Sequence, residues 1–195
     1  MTSSNQKILV KGHSELLKYI LVKASQRGTP LTLYILETRP QCDGYRMFDE
    51  LQKLNIQCKL VVDSAIGVIL EDVDYVISGA EAVTENGGVI NKIGTYTLAI
   101  CANAMKKPVY VFAENYKFLR TFVINQSDIP KDANLRDEFT PCQIPGVPNL
   151  RFKKEDVVCP SCDFTPNNLI SFIVSDSRIF KTSCVSDEFL QLFNL

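Results

Sequence analysis

Five short apolar runs recur along the first 112 residues: KILV (7–10), LTLYIL (31–36), IQCKLVV (56–62), DYVIS (74–78) and PVYVF (108–112). Helical patterns separate them. After the first run, Leu16, Leu17, Ile20 and Leu21 recur at helical spacing, Ser14 stands where an N-cap is expected, and Gly28-Thr29-Pro30 stops the pattern. Gly44 to Leu54 places Met47, Leu51 and Leu54 on one side of a second helix. Asp63-Ser64 reads as the cap of a short third helix, AIGVIL, and a fourth starts at about Thr95. Strands joined by helical crossovers pair in parallel, and a parallel sheet is covered on both faces. LTLYIL agrees, because a strand with one face in water would alternate apolar with polar residues. The expected fold class is α/β: a Rossmann-like open, mainly parallel sheet with helices on both faces, forming one domain over 1–195.

Ligands of such sheets bind outside the carboxyl ends of the strands. Gly12–Ser14, Glu37–Arg39 and Asp63-Ser64 fall there. So does GAEAVTENGGVINKIGT (79–95), which reads as a long polar loop between the fourth strand and the fourth helix. One reading is an anion site, in which Ser14 opens a helix with free N–H groups while Arg39 and Lys92 add positive charge to the same crevice. The other reading pairs Arg39 with Glu37 or Glu81 and leaves Ser14 only a cap. Glu81 and Glu85 are candidates for acid and base, or for carboxylates that bind loop N–H groups. Gly87 and Gly88 supply positive φ or a close backbone approach. His13, the only histidine, and Asp63 are further candidates for ligand contact, with helix capping the alternative for Asp63.

Other features narrow the class. A net charge of −1 argues against nucleic acid as a partner. No run approaches the roughly 20 apolar residues of a membrane span, and MTSSNQKILV has no secretory pattern. Seven scattered cysteines fit reduced thiols in the cytoplasm. No GxGxxG follows the first strand, so no nicotinamide cofactor is expected. Cys159-Pro-Ser-Cys162 lacks the second pair or histidine of a zinc site and reads as loop, so no metal is expected. Six of the nine prolines lie between Pro130 and Pro166, which marks about 125–166 as a loop or arm. NLISFIVSD then reads as a further strand, and SDEFLQLF as a short helix capped by Ser186.

The stretch GAEAVTENGGVINKIGTYTLAICANAMKKPVYVFAENYKF resembles the signature of the regulatory subunits of the guanine-nucleotide exchange factor initiation factor 2B, most closely the alpha type. ILVKGHS, LYILETRP, LVVDSAIGVIL and DFTPNNLISFIVSDSRIFKTSCVSDEFLQLF agree with it in order. The resemblance implies a non-catalytic regulatory and scaffold subunit. It would self-associate as a homodimer, join the beta and delta regulatory subunits, and respond to phosphorylated initiation factor 2. It also implies a crevice able to hold a sugar phosphate, with His13, Ser14, Arg39, Glu81, Asn91 and Lys92 as contacts. The isomerases of methylthioribose phosphate and ribose bisphosphate share the NGxxxNKIGT type of loop, so a sugar-phosphate isomerase or sensor is the alternative. Those enzymes carry a catalytic cysteine after the first strand and an aspartate in Gly-Ala-Asp. Here the turn is Lys11-Gly12-His13-Ser14 and the triplet is Gly79-Ala80-Glu81, although His13 could stand in for the thiol. The helical domain that precedes this one in the family is expected to be absent from the chain.

Overall fold

The structure, a computed structural model, describes residues 5–130, 158 and 160–185. In chain order it runs β1 (Gln6–Lys11), α1 (Glu15–Gln26), β2 (Leu31–Leu36), α2 (Asp43–Lys53), β3 (Cys58–Val61), α3 (Ile66–Asp72) and β4 (Tyr75–Gly79). It continues with β5 (Ala82–Thr84), β6 (Val89–Lys92), α4 (Thr95–Ala104), β7 (Val109–Phe112), β8 (Phe118–Leu119), β9 (Cys162–Thr165), β10 (Phe172–Val174) and β11 (Ile179–Phe180). The main sheet has the order β11-β10-β7-β4-β1-β2-β3 and is parallel except for β11. Strand order reverses between β1 and β4.

Alternation along each strand divides the core in two. Ile8 and Val10 of β1 pack with Leu17 and Leu21 of α1 and Met47 and Leu51 of α2. Leu9, between them in sequence, faces the opposite way, toward Leu70 of α3 and Leu98 and Ala102 of α4. Each fully buried aliphatic side chain contributes about 1.5–3 kcal/mol. A run apolar on both faces is therefore what a strand covered by helices on both sides requires.

The segment after β4 departs from its expected loop. It is an antiparallel hairpin, β5–β6, at the centre of a second, four-stranded sheet of order β8-β5-β6-β9. Ala82, Val83, Thr84, Val89 and Ile90 are all buried, so this polar-looking motif has a largely apolar interior. Asn86-Gly87 makes the turn with φ +77° at Gly87, and a Cβ on Gly88 would stand 2.3 Å from the Phe164 ring of β9. The arm is likewise ordered at both ends. Asn125 and Asp128 form a capping box, and Cys162 begins β9 rather than lying in loop. Asp63 does not cap α3. Its two oxygens accept from the backbone N–H groups of Thr38 (3.0 Å) and Arg39 (2.6 Å), tying the β2–α2 connection to the end of β3. Cys159 and the expected Ser186 helix lie outside the described residues.

Candidate functional site

At the reversal of strand order, between the carboxyl ends of β1 and β4, lies a cavity of about 230 Å³. The start of α1, the hairpin and the segment after β7 enclose it. Its walls bring together five of the six expected contacts, His13, Ser14, Glu81, Asn91 and Lys92, with Lys11, Asp43, Glu114 and Lys117. Arg39 is not among them. It lines a second cavity, also about 230 Å³, with Lys11, Thr38, Asp63 and the start of α4. The expected meeting of Arg39 with Ser14 and Lys92 therefore does not occur. Arg39 Nε instead donates to Glu37 Oε2 at 3.2 Å, and Tyr45 donates its hydroxyl to the same oxygen.

Ser14 is the N-cap of α1, its hydroxyl accepting from Leu17 N–H at 3.4 Å. His13 Nε2 lies 3.1 Å from Glu50 Oε2 of α2. His13, Glu15 and Glu50 stand near enough to share a cation, but Lys18 and Arg46 already engage these carboxylates. Hydrogen bonds from Arg46, Lys18 and His13 hold the Glu50 carboxyl down at about 2. Lys92 pairs with Asp43 at the first turn of α2, and Lys117 with Glu114 at 3.0 Å. Lys92 and Lys117 thus have partners, and an incoming anion must compete with them. Open bonding capacity remains on Asp43 Oδ1, buried without a hydrogen-bond partner among the described residues. Glu81 is exposed on the rim at the start of the hairpin.

Asn91 works inside the wall. Its amide donates to Ser78 Oγ and to the Gly79 carbonyl, both at 3.0 Å, pinning β6 to the end of β4. Asn91→Ala is expected to cost about 1–2 kcal/mol by removing both of the hydrogen bonds that tie β6 to the end of β4. Urea unfolding measures it, and an unchanged midpoint would refute the role.

Lys11, Asp163 and Asp43 are among the residues that escape the sequence reading. Lys11 is 6% exposed, lies between the two cavities, and donates to the Lys92 carbonyl at 3.2 Å. Burial pushes its pKa down, against the nearby charges of Asp163, Asp43 and Asp63. Asp163 of β9 is 5% exposed, and its Oδ2 accepts from Gly94 (2.7 Å) and Tyr96 (3.0 Å) at the N-terminus of α4. Burial raises its pKa to about 6, opposed by those N–H groups and by Lys11. Asp43 lies one residue ahead of the second helical pattern. A charge ending an apolar run was the available signal for Lys11; nothing local marks Asp163, whose partners are 67 residues or more away.

An open Rossmann-like sheet with a polar crevice at its switch point defines the class: an α/β domain of the Rossmann-like type. The chain belongs to the Initiation factor 2 subunit family, whose family model matches residues 2–182. It is 38% identical over 189 residues to the translation initiation factor eIF2B subunit alpha of Dictyostelium discoideum, covering 95% of this chain and 58% of that protein. It is 32% identical over 170 residues to the ribose 1,5-bisphosphate isomerase of Methanocaldococcus jannaschii, covering 87% and 53%. The crystal structure of eIF-2B subunit delta from A. fulgidus superposes with a TM-score of 0.74 at 23% identity, over 99% of this chain and 58% of that one. The chain thus spans a little over half the length of these relatives. No helix among the described residues is long and apolar enough to cross a membrane.

Proposed function

We propose that this domain is a non-catalytic regulatory and scaffold element of the exchange factor acting on initiation factor 2, working in the cytoplasm. In this reading it self-associates, joins the beta and delta regulatory subunits, and contributes to the response to phosphorylated initiation factor 2. The crevice carries the proposal. It keeps a polar shell at the switch point, yet no described lining residue is a cysteine, Lys92 and Lys117 are engaged by internal partners, and Glu81 faces solvent. Acid–base isomerisation needs donor and acceptor held to a fraction of an ångström, which an exposed carboxylate on a hairpin rim does not offer. The relatives bearing the alpha-subunit name, at 38% and 33% identity, support the same reading.

Sedimentation at roughly micromolar protein is expected to give twice the 21.9 kDa chain mass, and co-expression with beta and delta subunits is expected to yield a co-purifying complex. A monomer that captures neither subunit would overturn the proposal. The isomerase reading is favoured by the relatives of that name at 31–35% identity. Turnover of ribose 1,5-bisphosphate or methylthioribose 1-phosphate, lost in Glu81→Gln, would establish it. We also propose that the crevice binds a sugar phosphate without converting it. His13, Ser14, Glu81, Asn91 and Lys92 would make the contacts, with Arg39 leaving the original set. A thermal shift with sugar phosphates is then expected to survive Arg39→Ala, because that side chain lines the other cavity.

A further inference from the structure

We propose that the second cavity is a separate ligand site, built for a small apolar molecule tipped with a hydrogen-bond-accepting oxygen. It lies across Lys11 from the first crevice and stands independently of the function proposed for that crevice. Its inner end is closed by the buried residues Lys11, Leu36, Thr38 and Ile66, while Thr97 and Arg39 are exposed. Leu36, Ile66 and Ile93 supply apolar walls.

The polar inventory fixes the chemistry of the tip. Both Asp63 oxygens accept from backbone N–H groups, and Arg39 donates to Glu37, so the charges of the wall are matched internally. Lys11 has the charges of Asp163, Asp43 and Asp63 nearby, but its hydrogen-bonding capacity is not filled. An ammonium has three N–H donors, and only one hydrogen bond from Lys11 Nζ, to the Lys92 carbonyl, is formed among the described residues. A buried donor without an acceptor is costly. The unmet capacity of this cavity is therefore for an acceptor, and a carboxylate or carbonyl oxygen supplies it.

A second observation points to the same place. Thr38 has φ +59°, a conformation that a β-branched residue rarely adopts. Asp63 holds it there through the two backbone bonds, and its own hydroxyl donates to the Leu36 carbonyl at 3.2 Å. Backbone outliers held by their surroundings in this way cluster at ligand-binding positions. At about 230 Å³ the cavity is smaller than the roughly 300–1,000 Å³ of drug-sized pockets, so its occupant is a single ring or a short branched chain. The guanidinium of Arg39 at the mouth suits a planar face.

The test is methyl NMR of the full chain with benzoate and benzamide as probes at roughly millimolar concentration. Both are expected to move the methyl signals of Leu36, Ile66 and Ile93; a response to benzoate alone identifies a carboxylate as the tip. Thr97→Trp, at the exposed mouth, is expected to abolish the shifts with the rest of the spectrum unchanged. Lys11→Met is expected to weaken binding about tenfold or more, the loss of a charge-assisted bond. No movement of the methyl signals of these three residues with either probe overturns the proposal, as do shifts that persist undiminished in Thr97→Trp. Should that variant misfold, Lys11→Met decides: unchanged affinity refutes the site.

Discussion

Gly44→Ala is expected to prevent stable folding. A Cβ at this position would lie 1.8 Å from the carbonyl oxygen of Leu36 and 2.8 Å from its carbon. Both are backbone atoms of β2, which is held between β1 and β3 and cannot move aside as a flexible side chain could. The first turn of α2 would have to lift off the sheet, taking with it Asp43, the partner of Lys92, and Tyr45, a donor to Glu37. The loss should exceed about 4 kcal/mol, a large share of the roughly 5–15 kcal/mol that holds a domain folded. Urea unfolding measures it, with Gly67→Ala as the control. Nothing lies within 4 Å of a Cβ on Gly67, so that helical variant should match or exceed the parent, by up to about 1 kcal/mol. A Gly44→Ala variant as stable as the control would mean that α2 does not pack against β2 at this distance.

The second large effect is a pH dependence centred on Asp163. Its carboxyl is raised from 3.8 to about 6 in the folded state, with burial outweighing the N–H groups of α4 and the charge of Lys11. The folded chain thus holds this proton more tightly than the unfolded one. The associated stability is fully present below about pH 3.8 and is lost as pH rises toward about 6. A shift of about two units corresponds to roughly 3 kcal/mol. Asn cannot ionise, and its carbonyl can still accept from Gly94 and Tyr96. The stability of Asp163→Asn relative to the parent should therefore rise by about 2–3 kcal/mol between roughly pH 3.5 and pH 7. Asp163→Ala also removes the cap of α4, a further loss of about 1–2 kcal/mol at every pH. Parallel pH profiles for the parent and Asp163→Asn would show that Asp163 does not titrate in this window.

The sheet was legible because its signals are local. LTLYIL became β2 with unchanged limits, and the other four runs became strands within two residues of their expected ends. Ser14 caps α1 as its position indicated. The hairpin was half legible: Asn86-Gly87 is a turn signal, but Glu81, Glu85, Asn91 and Lys92 hid the buried Ala82, Val83, Val89 and Ile90 beside them. Arg39 was misplaced for a different reason. Sequence puts both Arg39 and Ser14 at strand ends, yet only the packing of α1 and α4 on opposite faces of the sheet decides which crevice each one lines.

By itself, then, the sequence determined the parallel sheet, its helices and the end of the sheet that carries the polar residues, because periodicity and capping act over a few residues. Tertiary structure alone decided that Arg39 and Ser14 line separate crevices and set Lys11 between them. It also brought Asp163 from β9 onto α4. These outcomes depend on which distant charges burial brings together, and no spacing along the chain records that.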